Sequence, residues 1–221
     1  MLPTWLEPYQ IGIDLVETTT PFAELTGELV VDTQGLSYVM ADHSLFRLEP
    51  FQALKASGVR KAMGKNIKGL SILDACAGFG DDTLGLRRDC ALTMVEQNLR
   101  TALFLAERLY MLEPAEEATP VLVTDNVVNV LEQASFGQWD IIYLDPMFPE
   151  RKKQALPKRG MQTLSQLQAG QETTDVELLL EQSKQIAGLR TVLKRRSKDP
   201  RLGTPNHQVM GAKVRFDIYL S

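Results

Sequence analysis

The chain has 221 residues, 44% apolar and 24% charged, which predicts one globular domain with a small appendage, long enough to bury its own core. Lys and Arg number 24 against 28 Asp and Glu, a formal charge of −4 that excludes bulk positive charge as the means of holding a nucleic acid. The two cysteines, Cys76 and Cys90, form no CxxC pair and have no neighbouring His, so the sequence offers no zinc template, predicts no metal site, and fits a reducing, cytoplasmic setting.

In chain order, the N-terminus shows no basic segment followed by an apolar run, and no stretch approaches a membrane span; neither secretion nor a membrane partner is expected. Residues 28–32 and 36–40 are β-prone runs around Thr33-Gln34-Gly35 and predict a hairpin. Phe51, Leu54, Val59 and Met63 recur at helical spacing and predict a helix over 49–63. Short apolar runs follow at 70–73, 91–95, 120–123, 141–144 and 190–193. Helical segments at 82–88, 98–112, 127–134 and 174–187 alternate with them. This pattern predicts a doubly wound, mostly parallel α/β sheet. The run 214–220 alternates with period two and is separated from the fifth strand by too little chain for a helix, so it is expected antiparallel. The segment 151–173, rich in Lys, Arg, Gln and Gly, reads as a mobile loop. The division expected is an appendage at 1–66 and a main domain at 67–221.

The candidate chemistry sits at the strand ends. The first strand of the main domain runs into Asp74-Ala75-Cys76-Ala77-Gly78-Phe79-Gly80-Asp81-Asp82, where Gly78 and Gly80 permit a sharp turn beside a ligand. Three carboxylates around that turn, Asp74, Asp81 and Asp82, suit a cationic ligand with an amine better than a phosphate, and favour an aminoacyl sulfonium over a dinucleotide. Glu96, with Gln97, ends the second strand, where a carboxylate accepts ribose hydroxyls; it equally suits the N-terminus of the next helix. Asp125 and Asn126 end the third strand and are suited either to adenine or to capping the following helix. The fourth strand ends in Asp145-Pro146-Met147-Phe148-Pro149. An exocyclic base amine is a poor nucleophile, and the Asp145 carboxylate and Pro146 carbonyl would orient its N–H groups while Phe148 stacks on the base. The plainer alternative is a proline stop after a strand with Phe148 in the core. Neither cysteine is placed to attack a base.

Asp-Pro-x-aromatic resembles the Asp/Asn-Pro-Pro-aromatic motif of amino-methyltransferases. Together with the 74–82 turn, Glu96, Asp125-Asn126, Val192-Leu193-Lys194-Arg195, Pro205-Asn206-His207 and Arg215-Phe216-Asp217-Ile218-Tyr219, it resembles the small-subunit ribosomal RNA methyltransferase J family from about Ile67 to the end. The resemblance implies a class I, Rossmann-like methyltransferase fold, S-adenosylmethionine as cofactor, and methylation of the N2 amine of a guanosine in 16S ribosomal RNA. It carries cofactor contacts over to Asp81, Asp82, Glu96, Gln97, Asp125 and Asn126, with Asp145 near the methyl group. Asp81 stands where the family usually has Arg.

The charge is divided unevenly: residues 1–150 carry a net −12 and residues 151–221 a net +8. Each basic cluster taken singly suits a solvated loop. Together, Arg151, Lys152, Lys153, Lys158, Arg159, Lys194, Arg195 and Arg196 read as an RNA-backbone footprint, with 16S ribosomal RNA or the small ribosomal subunit as partner. Two alternatives stay open: an amine methyltransferase acting on DNA adenine or protein glutamine, and a non-catalytic RNA- or ribosome-binding protein that keeps the fold.

Overall fold

A computed structural model describes residues 16–17, 25–32, 34–52, 58–112, 119–146, 159–169 and 175–221. Near the N-terminus a four-stranded sheet is built from β1 (Val16–Glu17), β2 (Leu29–Asp32), β3 (Gly35–Val39) and β4 (Leu45–Phe46), in that order, β1 parallel to β2 and the others antiparallel. The expected hairpin is thus present as β2–β3, turning through Gly35 at φ +111°. The expected helix over 49–63 is shorter. Only α1 (Gly58–Met63) forms, while residues 49–52 are irregular and 53–57 lie outside the described residues. The Glu49 carbonyl accepts from Arg108 Nη2 at 3.0 Å, a tertiary partner in place of a helical one.

The main sheet follows: β5 (Ser71–Asp74), β6 (Ala91–Val95), α2 (Leu99–Tyr110), β7 (Val121–Val123), α3 (Val127–Glu132), β8 (Ile141–Leu144), α4 (Arg159–Leu167), α5 (Val176–Ile186), β9 (Arg190–Arg196), β10 (His207–Met210) and β11 (Val214–Leu220). Strand order is β10-β11-β9-β8-β5-β6-β7. Strands β5 to β9 are parallel, and β11 runs antiparallel to β9, as its period-two pattern and short connection predict. The edge strand β10 was not expected; His207 to Met210 is half-exposed and has no apolar run to mark it. The predicted helix at 82–88 is a set of turns with one 3₁₀ turn, Leu84–Leu86. Thr83 turns its hydroxyl to Asp74 at the start of this segment, a tertiary partner that holds the chain in turns.

Successive side chains of the central strands face opposite sides of the sheet. Ile72, Met94, Tyr143 and Val192 pack with Val59, Met63, Leu105 and Leu109, whereas Leu73, Val95, Ile142, Leu144 and Leu193 pack with Leu131, Leu179, Leu180 and Ile186. Each fully buried side chain of this kind contributes about 1.5–3 kcal/mol of transfer free energy. The N-terminal sheet shares a third cluster with the main domain, where Leu29, Leu36, Tyr38 and Phe46 meet Phe79, Leu103 and Phe104. Glu107 of α2 fixes the docking: its carboxylate accepts the Leu36 N–H at 2.7 Å. No helix among the described residues is long and apolar enough to cross a membrane.

Order reverses between β5 and β8, so the crevice at their C-terminal ends is where a doubly wound sheet takes its ligand. Asp74, Glu96 and Asp145 all stand at that edge.

Candidate active site

The turn after β5 hangs between its two neighbours. Ala75 N–H donates to Tyr143 O of β8 and Ala77 N–H to Val95 O of β6, both at 2.9 Å. Gly78 and Gly80 have φ +54° and +76°, and a Cβ at Gly80 would lie 2.9 Å from the Leu84 side chain, so both backbone conformation and space require glycine there. Gly78 N–H donates to Glu96 Oε2 at 2.9 Å and Asn98 N–H to Glu96 Oε1 at 2.8 Å. Glu96 is 4% exposed, and that burial pushes its carboxyl above the usual carboxylate range despite the two donors.

Beside the turn lies a chain of four side chains. Tyr143 OH donates to Asp82 Oδ2 at 2.7 Å, and Lys194 Nζ bridges Asp82 Oδ2 at 2.6 Å and Asp145 Oδ2 at 2.7 Å. Period two in β8 puts Tyr143 and Asp145 on one face. The last pair of the β8–β9 ladder, Leu144 with Leu193, brings Asp145 next to Lys194 in register. Burial pushes the Asp145 carboxyl up to about 6; the Lys194 charge works against this and the Asp82 charge with it. Asp74, 2% exposed, is pushed up to about 7, chiefly by burial, with the Thr83 hydroxyl working against it. The Tyr143 phenol and the Cys76 thiol are driven well above their ordinary values, first by burial and then by the same carboxylates. Cys76 is therefore a neutral thiol at neutral pH.

The structure brings together Asp74, Gly78, Gly80, Asp82, Glu96 and Asp145, with buried Pro146 following the last of these. Asp81 points the other way, its carboxylate 70% exposed and paired with Arg108 Nη1 at 2.6 Å. Arg108 also holds Phe79 O and Glu49 O, so it ties the glycine turn to the segment before α1. Asn126 caps α3, its side-chain oxygen accepting Val128 N–H at 2.9 Å; Asp125 accepts the Asn126 N–H and the Asn129 amide. Capping, one of the two roles weighed for this pair, is occupied. Gln97 lines a cavity of about 460 Å³ with Leu99, Gln166 and Ala169.

Two of the basic residues read as RNA contacts are engaged by other groups of the chain, Lys194 part-buried and Arg159 at the surface. Lys194 is spent on Asp82 and Asp145 because its strand register turns it into the crevice. Arg159 donates to Ser44 Oγ at 2.5 Å and Leu45 O at 3.1 Å, pinning α4 to the N-terminal sheet. Arg195 donates to Pro200 O at 3.2 Å, and Arg196 ends β9 half-buried. Phe148, Arg151, Lys152, Lys153 and Lys158 lie outside the described residues. Within the segment read as a mobile loop, α4 is ordered by its own amphipathic pattern: Thr163 and Leu167 are buried, and Leu164 stands 3.5 Å from the position a Gly78 Cβ would occupy.

Sequence reasoning did not identify Tyr143, Lys194 or Arg108 as part of this site. The period-two spacing of Tyr143 and Asp145 is a usable signal for the first; the others depend on contacts across 112 and 27 residues of chain.

The residues present fit S-adenosylmethionine on the chemistry of the donor set. Asp82 and Asp145 share a single ammonium, that of Lys194, while Asp74 beside them is held by the Thr83 hydroxyl, and burial raises the carboxyls of Asp74 and Asp145. Such a crevice gains from a ligand that brings positive charge, and Glu96 beside a glycine turn suits a ribose. Among the described residues no group of three or more His, Cys, Asp or Glu side chains is arranged to hold a metal ion.

The chain resembles curated proteins named ribosomal RNA small subunit methyltransferase J. It is 35% identical over 171 residues to that of Marinobacter nauticus, covering 73% of this chain and 61% of the relative, and 35% identical over 180 residues to that of Saccharophagus degradans, covering 73% and 66%. The chain thus spans less than two thirds of these relatives' length. A crystal structure of a SAM-dependent methyltransferase from Neisseria gonorrhoeae superposes with a TM-score of 0.62 at 25% identity, over 92% of this chain and 85% of that one. The strand order, the acidic crevice at its switch point and these likenesses agree with a match over residues 30–221 to the family described as "Putative SAM-dependent methyltransferase", and the chain belongs to that family of S-adenosylmethionine-dependent methyltransferases.

Proposed function

We propose that this protein transfers a methyl group from S-adenosylmethionine to the exocyclic N2 amine of a guanosine in 16S ribosomal RNA, in the cytoplasm. The observation that carries this reading is Asp145-Pro146 at the end of β8, within the acidic crevice beside the glycine turn. When bound, S-adenosylmethionine supplies an electrophilic methyl group on a sulfonium centre. Asp74, Asp82 and Asp145 supply the negative field that favours such a ligand, and Glu96 the acceptors for its ribose. The Asp145 carboxylate and the Pro146 carbonyl accept the amine N–H groups of the base and hold its nitrogen lone pair toward the methyl group. Asp145 would stabilise the positive charge that develops on the nitrogen during transfer and would accept its proton. Phe148 serves as the stacking face for an extruded base.

Support for an RNA partner comes from the rim of the crevice. Arg215 is 3% exposed and paired with Asp217 at 3.0 Å; its guanidinium also donates to the carbonyls of Arg196, Ser197, Asp199 and Pro200. One buried side chain therefore moulds the loop after β9. Lys198, Arg201 and Lys213 stand exposed on that loop and on the β10–β11 turn. Register places both at the same end of the sheet as Asp145, since Val214 pairs with Arg196. Exposed cations at the same end of the sheet as an anionic crevice suit a phosphodiester chain that delivers one base.

The test is methyl transfer from labelled S-adenosylmethionine to 16S ribosomal RNA, small ribosomal subunits, DNA and a protein fraction, followed by nucleoside analysis. Label recovered as N2-methylguanosine from 16S ribosomal RNA is expected. Label confined to DNA or protein would overturn the substrate, and absence of cofactor binding by calorimetry would overturn the reaction.

A further inference from the structure

We propose that Lys194 is a positioning residue for methyl transfer: gripped between Asp82 and Asp145, its ammonium fixes one oxygen of Asp145, keeps that carboxylate anionic, and so presents the other oxygen to the acceptor amine. This rests on the methyl-transfer reading of Asp145 given above, and assigns to the site a residue whose sequence context reads as an RNA contact.

The geometry is specific. Lys194 Nζ meets Asp145 Oδ2 at 2.7 Å and Asp82 Oδ2 at 2.6 Å, and the Tyr143 hydroxyl meets that same Asp82 oxygen at 2.7 Å. Tyr143 is fully buried, so its ring fixes the hydroxyl and the hydroxyl fixes Asp82. Asp82 and Asp145 then hold the lysine from two sides, and a long flexible side chain loses its freedom to wander. Lys194 is 20% exposed and Asp145 27%, which shields the pair from solvent while leaving Asp145 open on one side.

Charge gives the reason for a cation at this place. The groups facing Asp145 are Asp74, Cys76 and Asp82 from β5 and its turn, Tyr143 from β8, and Lys194 from β9. All but the lysine are acids, and each of them, once ionised, disfavours a charge on Asp145. Burial works in the same direction. Among the described residues, Lys194 is the cation within hydrogen-bond reach on the other side, and its own charge is reinforced by the two carboxylates. A neutral Asp145 would present an O–H where the amine needs an acceptor, so transfer depends on the ionised form.

The test compares the full chain with Lys194→Met, which removes the charge at similar size, and Lys194→Arg, which keeps it. Titration of the Asp145 carboxyl by carbon-13 NMR, assigned with Asp145→Asn, needs neither cofactor nor RNA. Lys194→Met is expected to raise the Asp145 midpoint by about one to three pH units, and Lys194→Arg to leave it near wild type. In methyl-transfer assays the acidic limb of the rate profile should move by the same amount in Lys194→Met and return in Lys194→Arg. kcat at neutral pH should fall at least about tenfold with KM for the cofactor little changed. An unchanged midpoint in Lys194→Met, or a lower rate with an unmoved limb, overturns the proposal. If Lys194→Met fails to fold, Lys194→Gln, which keeps a donor without charge, is read by the same titration and the same criterion. Should the wild type methylate no 16S ribosomal RNA, the substrate reading fails while the titration still decides the role of Lys194.

Discussion

The Gly78 N–H donates to Glu96 Oε2 at 2.9 Å, which fastens the glycine turn of one strand to the end of the next. The other oxygen of the same carboxylate accepts from Asn98, so a single side chain fixes both walls of the crevice. Glu96→Ala leaves the buried Asn98 N–H and the part-buried Gly78 N–H without an acceptor, at a cost of about 1–3 kcal/mol each if water does not replace it. Thermal unfolding should show the loss, and calorimetry should show cofactor affinity at least about tenfold weaker. Wild-type affinity in a normally stable Glu96→Ala protein would remove Glu96 from the cofactor site.

Gly80 and Gly69 offer a paired test of the turn. Both have strongly positive φ, +76° and +79°, but an added Cβ at Gly80 meets Leu84 at 2.9 Å while at Gly69 it meets nothing within 4 Å. Gly69→Ala is expected to cost about 1–2 kcal/mol for conformation alone. Gly80→Ala adds overpacking of about 1–3 kcal/mol and should also weaken cofactor binding. Equal losses in denaturant unfolding would mean that the turn yields to the added methyl.

Asp74 and Asp145 give the ligand-free protein a pH dependence of definite sign. Their carboxyls are raised to about 7 and about 6 from an ordinary 3.8, so between pH 4 and 7 the folded state holds protons that the unfolded chain has released. Unfolding free energy therefore falls as pH rises through that window, by up to several kcal/mol, and levels off above it. A cationic cofactor reverses the trend by favouring the ionised forms. Chemical unfolding at pH 5 and pH 7.5, with and without S-adenosylmethionine, checks both signs.

Asp145→Asn removes the anion but keeps the shape. Methyl transfer should fall by at least about a hundredfold, the range typical for loss of a charged acceptor in an active site. Stability at pH 7.5 should not fall, because a buried carboxylate crowded by Asp82 and Asp74 is replaced by a neutral amide. Near-normal turnover in single-turnover assays would withdraw the role given to Asp145.

Arg215 and Asp217 form a buried pair, their side chains 4% and 0% exposed. Arg215→Met strands the Asp217 carboxylate and should cost about 3–5 kcal/mol, whereas Arg215→Met with Asp217→Leu should cost less. Both variants release the carbonyls of the loop from Arg196 to Pro200, so both should bind 16S ribosomal RNA more weakly even where the fold is restored. A double variant with full stability and unchanged RNA affinity would show that the loop needs no template.

Strand β8 shows how far the sequence could be read. Ile141 to Leu144 is a continuous apolar run ending in Asp-Pro, and it marks a buried parallel strand with a polar terminus without any knowledge of its neighbours. The same holds for the turn at Gly78 and Gly80 and for Glu96 at the end of β6. Helices α2 and α5 carry their N-caps, Asn98 and Asp175, in the sequence. Residues 49–52 and 82–88 were less legible: helical spacing was present, but the Glu49 carbonyl and the Thr83 hydroxyl found partners elsewhere in the fold.

Local pattern decided the fold class and the position of every carboxylate along the chain, because apolar periodicity and turn residues act over a few residues and need no partner. Only the tertiary structure decided which side chains meet. Lys194 lies 49 residues from Asp145 and 112 from Asp82, and strand register turned it from a basic run into the centre of the site. Arg159 was drawn to the N-terminal sheet by the packing of α4, and Arg215 into the interior by Asp217. A charge in a sequence has no direction; the side of the sheet it faces, and hence whether it meets solvent or another charge, is set by long-range pairing.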